Sequence, residues 1–285
     1  MQALKLHTPL GHPIFYGWML LVYLLLVTTN CTEDFEPGPD LEDITKERRE
    51  RLGDLLHETI LSTPNDFPLL DRSEKGDSVI QNYLQTLYNQ ATFQILLDRS
   101  SAVDNRWDSD RLWQVTVIDE PNRFAFSAPG GYFYISSGFL AGLGKGYEIY
   151  YLMAFEAINV SEDFLLNSLI REYGITNLLN LTDQPESFSP LALAEIVDFI
   201  QKNLSYETSV VQEIDGLAAQ LICETSIFDR FGIIPILDAI DFREQWRETR
   251  PSYSDRLEYI YSLRVERCGE IKSTGAYKKF VLENL

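Results

Sequence analysis

Histidine is nearly missing from this chain: His7, His12 and His57 are all that its 285 residues contain. Imidazole is the commonest metal ligand and the commonest general base among side chains, so its scarcity narrows the chemistry available. His7 and His12 lie in an N-terminal segment expected to be removed, which leaves His57 alone in the mature chain. One imidazole cannot supply two zinc ligands. The neighbourhood Leu55-Leu56-His57-Glu58-Thr59 marks no nucleophile beside it, and the reading is a surface histidine on an amphipathic helix.

Positive charge is also in short supply. Lys and Arg total 24 against 43 Asp and Glu, a formal charge of −19. Such a surface repels phosphate backbones and anionic head groups, which argues against direct nucleic-acid binding and favours basic or apolar partner surfaces. Cysteine is limited to Cys31, Cys223 and Cys268. The last two would either pair in an oxidising compartment or serve as two small buried hydrophobes, and spacing does not choose between these. There is no internal repeat or low-complexity tract.

Residues 1–30 carry Lys5 as their one charged residue, followed by the apolar run Ile14–Val27. Fourteen residues suit a signal sequence better than a membrane-spanning helix, which needs about 20. The run ends at Thr28-Thr29-Asn30-Cys31 and turns acidic and Pro-rich at Glu33, Asp34, Glu36, Pro37 and Pro39. A Cys at that place resembles a bacterial lipoprotein cleavage site, where Cys31 would be lipidated and become the new N-terminus. Thr28 and Asn30 depart from the Leu and the Gly or Ala usual there. An uncleaved anchor and ordinary secretion are the alternatives.

The remainder divides into a tether with an amphipathic helix (31–76) and a larger domain (77–285). Ile44, Leu52, Leu55, Leu56 and Ile60 share one face of a helix over 43–61, with 46–50 solvated on the other. A second helix is expected over 77–97. The polar stretch 104–110 carries Asp104, Asp108 and Asp110, but it lacks the Gly and closing Glu of a calcium loop and reads as a solvated loop. Strands follow at Trp113–Ile118, Phe124–Ser127 and Tyr132–Ser136. Pro129-Gly130-Gly131 makes a sharp reversal or bulge between the last two, because glycine reaches positive φ without strain. Helices are then expected over 146–160, 161–173, 189–203, 207–226, 233–247 and 252–266. The class is α+β, helix-rich, with one small sheet.

From about residue 77 the order of motifs resembles the zinc metallopeptidases of the HtpX-like and CAAX-prenyl-protease-like family. Val117-Ile118-Asp119 precedes Phe124-Ala125-Phe126-Ser127-Ala128-Pro129-Gly130-Gly131-Tyr132, then Gly138-Phe139-Leu140, then Glu148-Ile149-Tyr150-Tyr151-Leu152-Met153-Ala154. The resemblance implies a zincin-like fold and a helix that would carry His-Glu-x-x-His, whose Glu activates a zinc-bound water. Here that helix reads Phe155-Glu156-Ala157-Ile158-Asn159. Phe155 and Asn159 stand at the two histidine positions, and Glu156 keeps that of the general base. The third ligand is the Glu of Glu-x-x-x-Asp in active relatives. It aligns with Val211, and Asp215 is retained. Arg250-Pro251 replaces the closing His-Pro, and Arg256 keeps the downstream Arg.

Zinc is therefore expected in active relatives and not in this chain. Without a Lewis acid, water keeps a pKa near 15.7 rather than about 7, a loss of up to about 12 kcal/mol of activation. Glu156 alone does not offset that, and its plainer reading is a hydrogen-bonded residue left in a groove. Metal held instead by Glu156, Glu213 and Asp215 would favour calcium or magnesium. The expected function is a catalytically inactive, metallopeptidase-like envelope lipoprotein that binds polypeptides or partner proteins. Its candidate peptide-binding edge is Gly130, Gly131, Tyr132, Phe133 and Tyr134, by strand addition, set against the plainer reading of a half-buried strand. Residual metalloendopeptidase activity with Glu156 as base is one alternative; a scaffold within an envelope assembly is another.

Overall fold

Three short apolar segments in the middle of the chain form the sheet on which the helices are built. The computed structural model describes residues 41–70, 75–99, 112–144, 146–224, 253–262 and 278–285. The signal segment, Cys31, the tether before residue 41, the 104–110 loop, Cys268 and the expected 233–247 helix lie outside these residues, as does the Cys223 side chain. Strands β1 (Gln114–Ile118), β2 (Ala125–Ala128) and β3 (Tyr132–Ser136) are ordered β1-β3-β2. β3 runs parallel to β1, with Val115 opposite Phe133, and antiparallel to β2, with Ala125 opposite Ile135. Every residue of β2 and β3 is buried, which accounts for their unbroken apolar character in place of alternation.

The reversal between β2 and β3 is the expected glycine device. Gly130 and Gly131 take φ of 79° and 86°. A Cβ on Gly131 would come 2.3 Å from the Trp113 ring. Gly53 serves the same turn from the other side, since a Cβ there would come 1.9 Å from the Pro129 carbonyl oxygen. Gly53 sits on α1 (Lys46–Ser62), whose Leu52, Leu56 and Ile60 are buried as the spacing predicts. The solvated polar face predicted for 46–50 needs correction: Arg49 is buried and forms a bidentate pair with Asp163 at 3.1 and 3.2 Å. Arg48 likewise pairs with Asp183 at 2.7 Å. Both arginines tie α1 to partners more than a hundred residues away, and no local pattern reveals that.

Helix α2 (Lys75–Arg99) lies along β1, and the short α3 (Ser137–Gly142) follows β3 directly. α4 (Gly146–Ser161) is the central helix, with every residue except Tyr147 buried. A helix apolar on all sides must lie inside the domain, and α4 packs against α2, β2 and α8 (Thr208–Glu224). Glu148 receives the Gly144 amide at 2.6 Å, holding a carboxylate at the start of this helix. α5 (Phe164–Tyr173), α6 (Ile175–Asp183) and α7 (Pro190–Asp198, continued by a π-helical turn Phe199–Asn203) follow. α9 (Tyr253–Ser262) packs on α8. α6 is absent from the sequence expectation. Thr176, Asn177, Asn180 and Thr182 are weak helix formers, and burial of Leu178 and Leu181 overrides them. No described helix is long and apolar enough to cross a membrane.

Candidate functional site

The central helix and α8 bring together the residues singled out by the resemblance. Phe155, Glu156 and Asn159 lie on α4, Val211 and Asp215 on α8, and all five are buried. Asp215 is 0% exposed and accepts three hydrogen bonds. Arg256 of α9 donates through Nε at 2.8 Å and Nη2 at 2.6 Å, and the Tyr151 hydroxyl donates at 2.7 Å. The Arg256 guanidinium also lies over the Phe155 ring, 5.2 Å from its centroid. One arginine therefore links Phe155 to Asp215. Burial, and then the adjacent Asp215 carboxylate, push the Tyr151 phenol well above its usual range.

The second half of the site is a polar pair on one face of α4. Asn159 donates its amide to Glu156 Oε2 at 3.3 Å and accepts the Tyr206 hydroxyl at 2.7 Å. Tyr206 stands two residues before α8, so this bond fastens the start of α8 to α4. Tyr88 of α2 faces the same region. Its hydroxyl is buried without a hydrogen-bond partner among the described residues. Burial, with Glu156 as a further cause, raises its pKa well above the ordinary value.

These contacts also show whether a zinc ion fits the three positions at which the resemblance would place its ligands. A phenyl ring has no lone pair, and Phe155 is packed beneath a guanidinium. Val211 offers only hydrocarbon and is 0% exposed. Asn159 has both ends of its amide engaged. The donor set does not suit zinc, which takes thiolate, imidazole or carboxylate. Glu213, weighed with Glu156 and Asp215 as a carboxylate site for another metal, is exposed. Among the described residues no three His, Cys, Asp or Glu side chains converge.

The aromatic segment Tyr132-Phe133-Tyr134 requires correction as a peptide-binding edge. It forms the middle strand, paired on both sides, so it has no edge to which a fourth strand can add. Gly130 and Gly131 are buried in the turn between helix α1 and Trp113. The outer side of β1 is closed as well. Gln85 donates to Trp113 O at 2.8 Å and accepts from Val115 N at 3.1 Å, Gln81 donates to Val115 O at 2.5 Å, and residues 68–70 pair with 117–119. Two glutamine amides thus stand in for a missing strand. Their spacing of four residues is a signal that the sequence does carry.

His57 is not a plain surface histidine. Its ring stacks on Tyr132 at 4.3 Å between centroids, its Nδ1 lies 2.7 Å from the Tyr134 hydroxyl, and the Tyr132 hydroxyl donates to Asp54 at 2.7 Å. This imidazole is engaged in fixing α1 to the sheet. Its partners lie far away in sequence, so nothing near His57 betrays this role. Set against known proteins, the chain matches no family model and no curated protein.

Proposed function

We propose that this chain is a metallopeptidase-like domain that binds polypeptides or partner proteins and does not hydrolyse them. On this reading its N-terminal segment holds it at a bacterial envelope membrane through a lipid on Cys31. The observation that supports it is the state of the three ligand positions: Phe155 under Arg256, Val211 in the core, and Asn159 bonded to Glu156 and Tyr206. Glu156 keeps the place of a general base, but Phe155, Asn159 and Val211 are not side chains that would hold a Lewis acid there to acidify water. The strand-addition route through Tyr132–Tyr134 is not part of the proposal, because β3 is internal.

The test uses the full chain purified in a mild detergent. Elemental analysis should find no stoichiometric zinc, and incubation should leave unfolded casein intact. Chelator-sensitive cleavage that Glu156→Gln abolishes would overturn the reading in favour of a working peptidase. Capture of unfolded casein in pull-downs separates a binder of polypeptides from a scaffold, which would instead retain one fixed partner. Mass spectrometry of the mature N-terminus tests the anchor, with a diacylglyceryl-modified Cys31 expected and an unmodified one opposing it.

A further inference from the structure

A broad groove of about 1350 Å³ opens where the end of α1, the 65–67 turn, the 120–124 link and α7 meet. It is open on one side and larger than the ~300–1,000 Å³ clefts that enclose small molecules, so its shape suits a chain segment. Its walls are mixed. Phe67 and Val197 are buried there, Phe124 is half-buried, and Leu191 stands 67% exposed on the rim.

Several polar groups of the groove are already engaged. Thr59 and Thr63 donate to carbonyls of their own helix, Glu120 accepts both nitrogens of Asn122, and Lys202 pairs with Asp198. The side chains of Asp66, Arg123, Glu195 and Gln201 also line the groove and are left with hydrogen-bonding capacity to offer. Carboxylates outnumber cations along the lining, with Asp66, Glu120, Glu195 and Asp198 against Arg123 and Lys202.

Charge decides among the occupants. The chain's own tether carries Glu33, Asp34, Glu36 and Asp40, and a second copy brings a formal charge of −19. Both are repelled by an acidic lining. We infer that this groove takes an extended basic polypeptide segment, with apolar side chains set against Phe67, Phe124 and Leu191 and lysine or arginine facing Asp66 and Glu195. The inference rests on the reading of the domain as a polypeptide binder, and gives that reading a site and a charge preference.

Fluorescence anisotropy of the full chain in non-ionic detergent tests it with three labelled dodecapeptides. All share Leu and Phe at every third position and differ in filling the rest with Lys, Ser or Glu. Exposed ion pairs are individually weak, so the Lys peptide should bind about tenfold more tightly than the Glu peptide at low salt, with the gap closing as salt rises. The double variant Asp66→Lys with Glu195→Lys should reverse that order. Leu191→Ser should weaken all three. These positions are solvent-facing, so the thermal midpoint should not move, and circular dichroism checks this. An unchanged order in the double variant overturns the groove and leaves polypeptide binding standing. So does capture of unfolded casein without binding of any dodecapeptide. Failure to bind casein as well removes the broader reading too.

Discussion

Replacing Asp215 with alanine should be among the most damaging single changes to this domain. Asp215 and Arg256 are 0% and 3% exposed, and the carboxylate receives two guanidinium nitrogens and the Tyr151 hydroxyl within 2.8 Å. Asp215→Ala leaves a guanidinium in a low-dielectric interior, at a cost of about 3–5 kcal/mol. The stranded Tyr151 hydroxyl adds to that, though not additively, since the three groups form one network. In a unit of this size the shift corresponds to roughly 6–20 °C in thermal midpoint. The double change Asp215→Leu with Arg256→Met removes both charges and fills similar volume, so it should cost far less than the single one. Urea unfolding of the three proteins, compared at constant m-value, reads both quantities. An Asp215→Ala cost below about 1 kcal/mol, the value of a solvated pair, would refute the desolvated pairing of Asp215 with Arg256. A double variant as unstable as the single one would refute it equally.

Three further outcomes follow from the same packing. Gly53→Ala places a methyl 1.9 Å from the Pro129 carbonyl oxygen; both sides are backbone-anchored, so overpacking should cost about 1–3 kcal/mol or more by denaturant unfolding. Gln85→Ala uncovers Trp113 O and Val115 N at the sheet edge, costing about 1–3 kcal/mol, and hydrogen exchange at the Val115 amide should quicken; equal protection in the variant would show that another group closes that edge. Tyr88, Tyr134 and Tyr151 are held well above the ordinary value of 10.0, chiefly by burial, and Tyr83 is pushed up to about 12. Because the folded state keeps these protons while the unfolded chain releases them, their stabilisation is complete below pH 10 and is lost as pH climbs towards the folded values. Tyrosinate absorbance should therefore rise in two stages, the second coinciding with unfolding.

Much of the fold is legible because burial leaves periodic traces. Leu52, Leu56 and Ile60 mark α1, and the apolar run through 149–155, resumed at Ala157 and Ile158, marks a helix with no solvent face. The glycines after Pro129 declare a turn that only positive φ can make. Strand order leaves no such trace. Tyr132–Ser136 reads equally well as an edge or as the middle strand, because its unbroken apolar character reports burial of both faces and not which strands pair with it. α6 was hidden because its weak helix formers depend on contacts made only after folding. The pairs Arg49–Asp163, His57–Tyr134 and Tyr206–Asn159 join residues 114, 77 and 47 positions apart, and side-chain identity alone does not choose such partners. At the candidate site, helical spacing puts Phe155, Glu156 and Asn159 together, while nothing in the sequence marks Tyr151 and Tyr206, which complete the network.

Asn159 is the residue through which the Glu156–Tyr206 half of this network can be probed. A buried carboxylate is tolerated only with donors around it, and the Asn159 amide is one of those serving Glu156. The same side chain accepts from Tyr206 at the entrance to α8. An imidazole bound to metal does not present this combination of a donor to the carboxylate and an acceptor for the phenol. Asn159→Leu keeps the branched outline at a somewhat larger volume but removes both functions, and should cost about 1–3 kcal/mol for each group whose bonding is lost. Glu156→Gln in that background should recover part of the loss, because a neutral amide is easier to bury than a carboxylate. Tyr206→Phe should add little to Asn159→Leu, since its acceptor has already gone. If the Asn159→Leu and Tyr206→Phe costs instead add in full, Asn159 and Tyr206 act independently and the amide does not connect α4 to the start of α8.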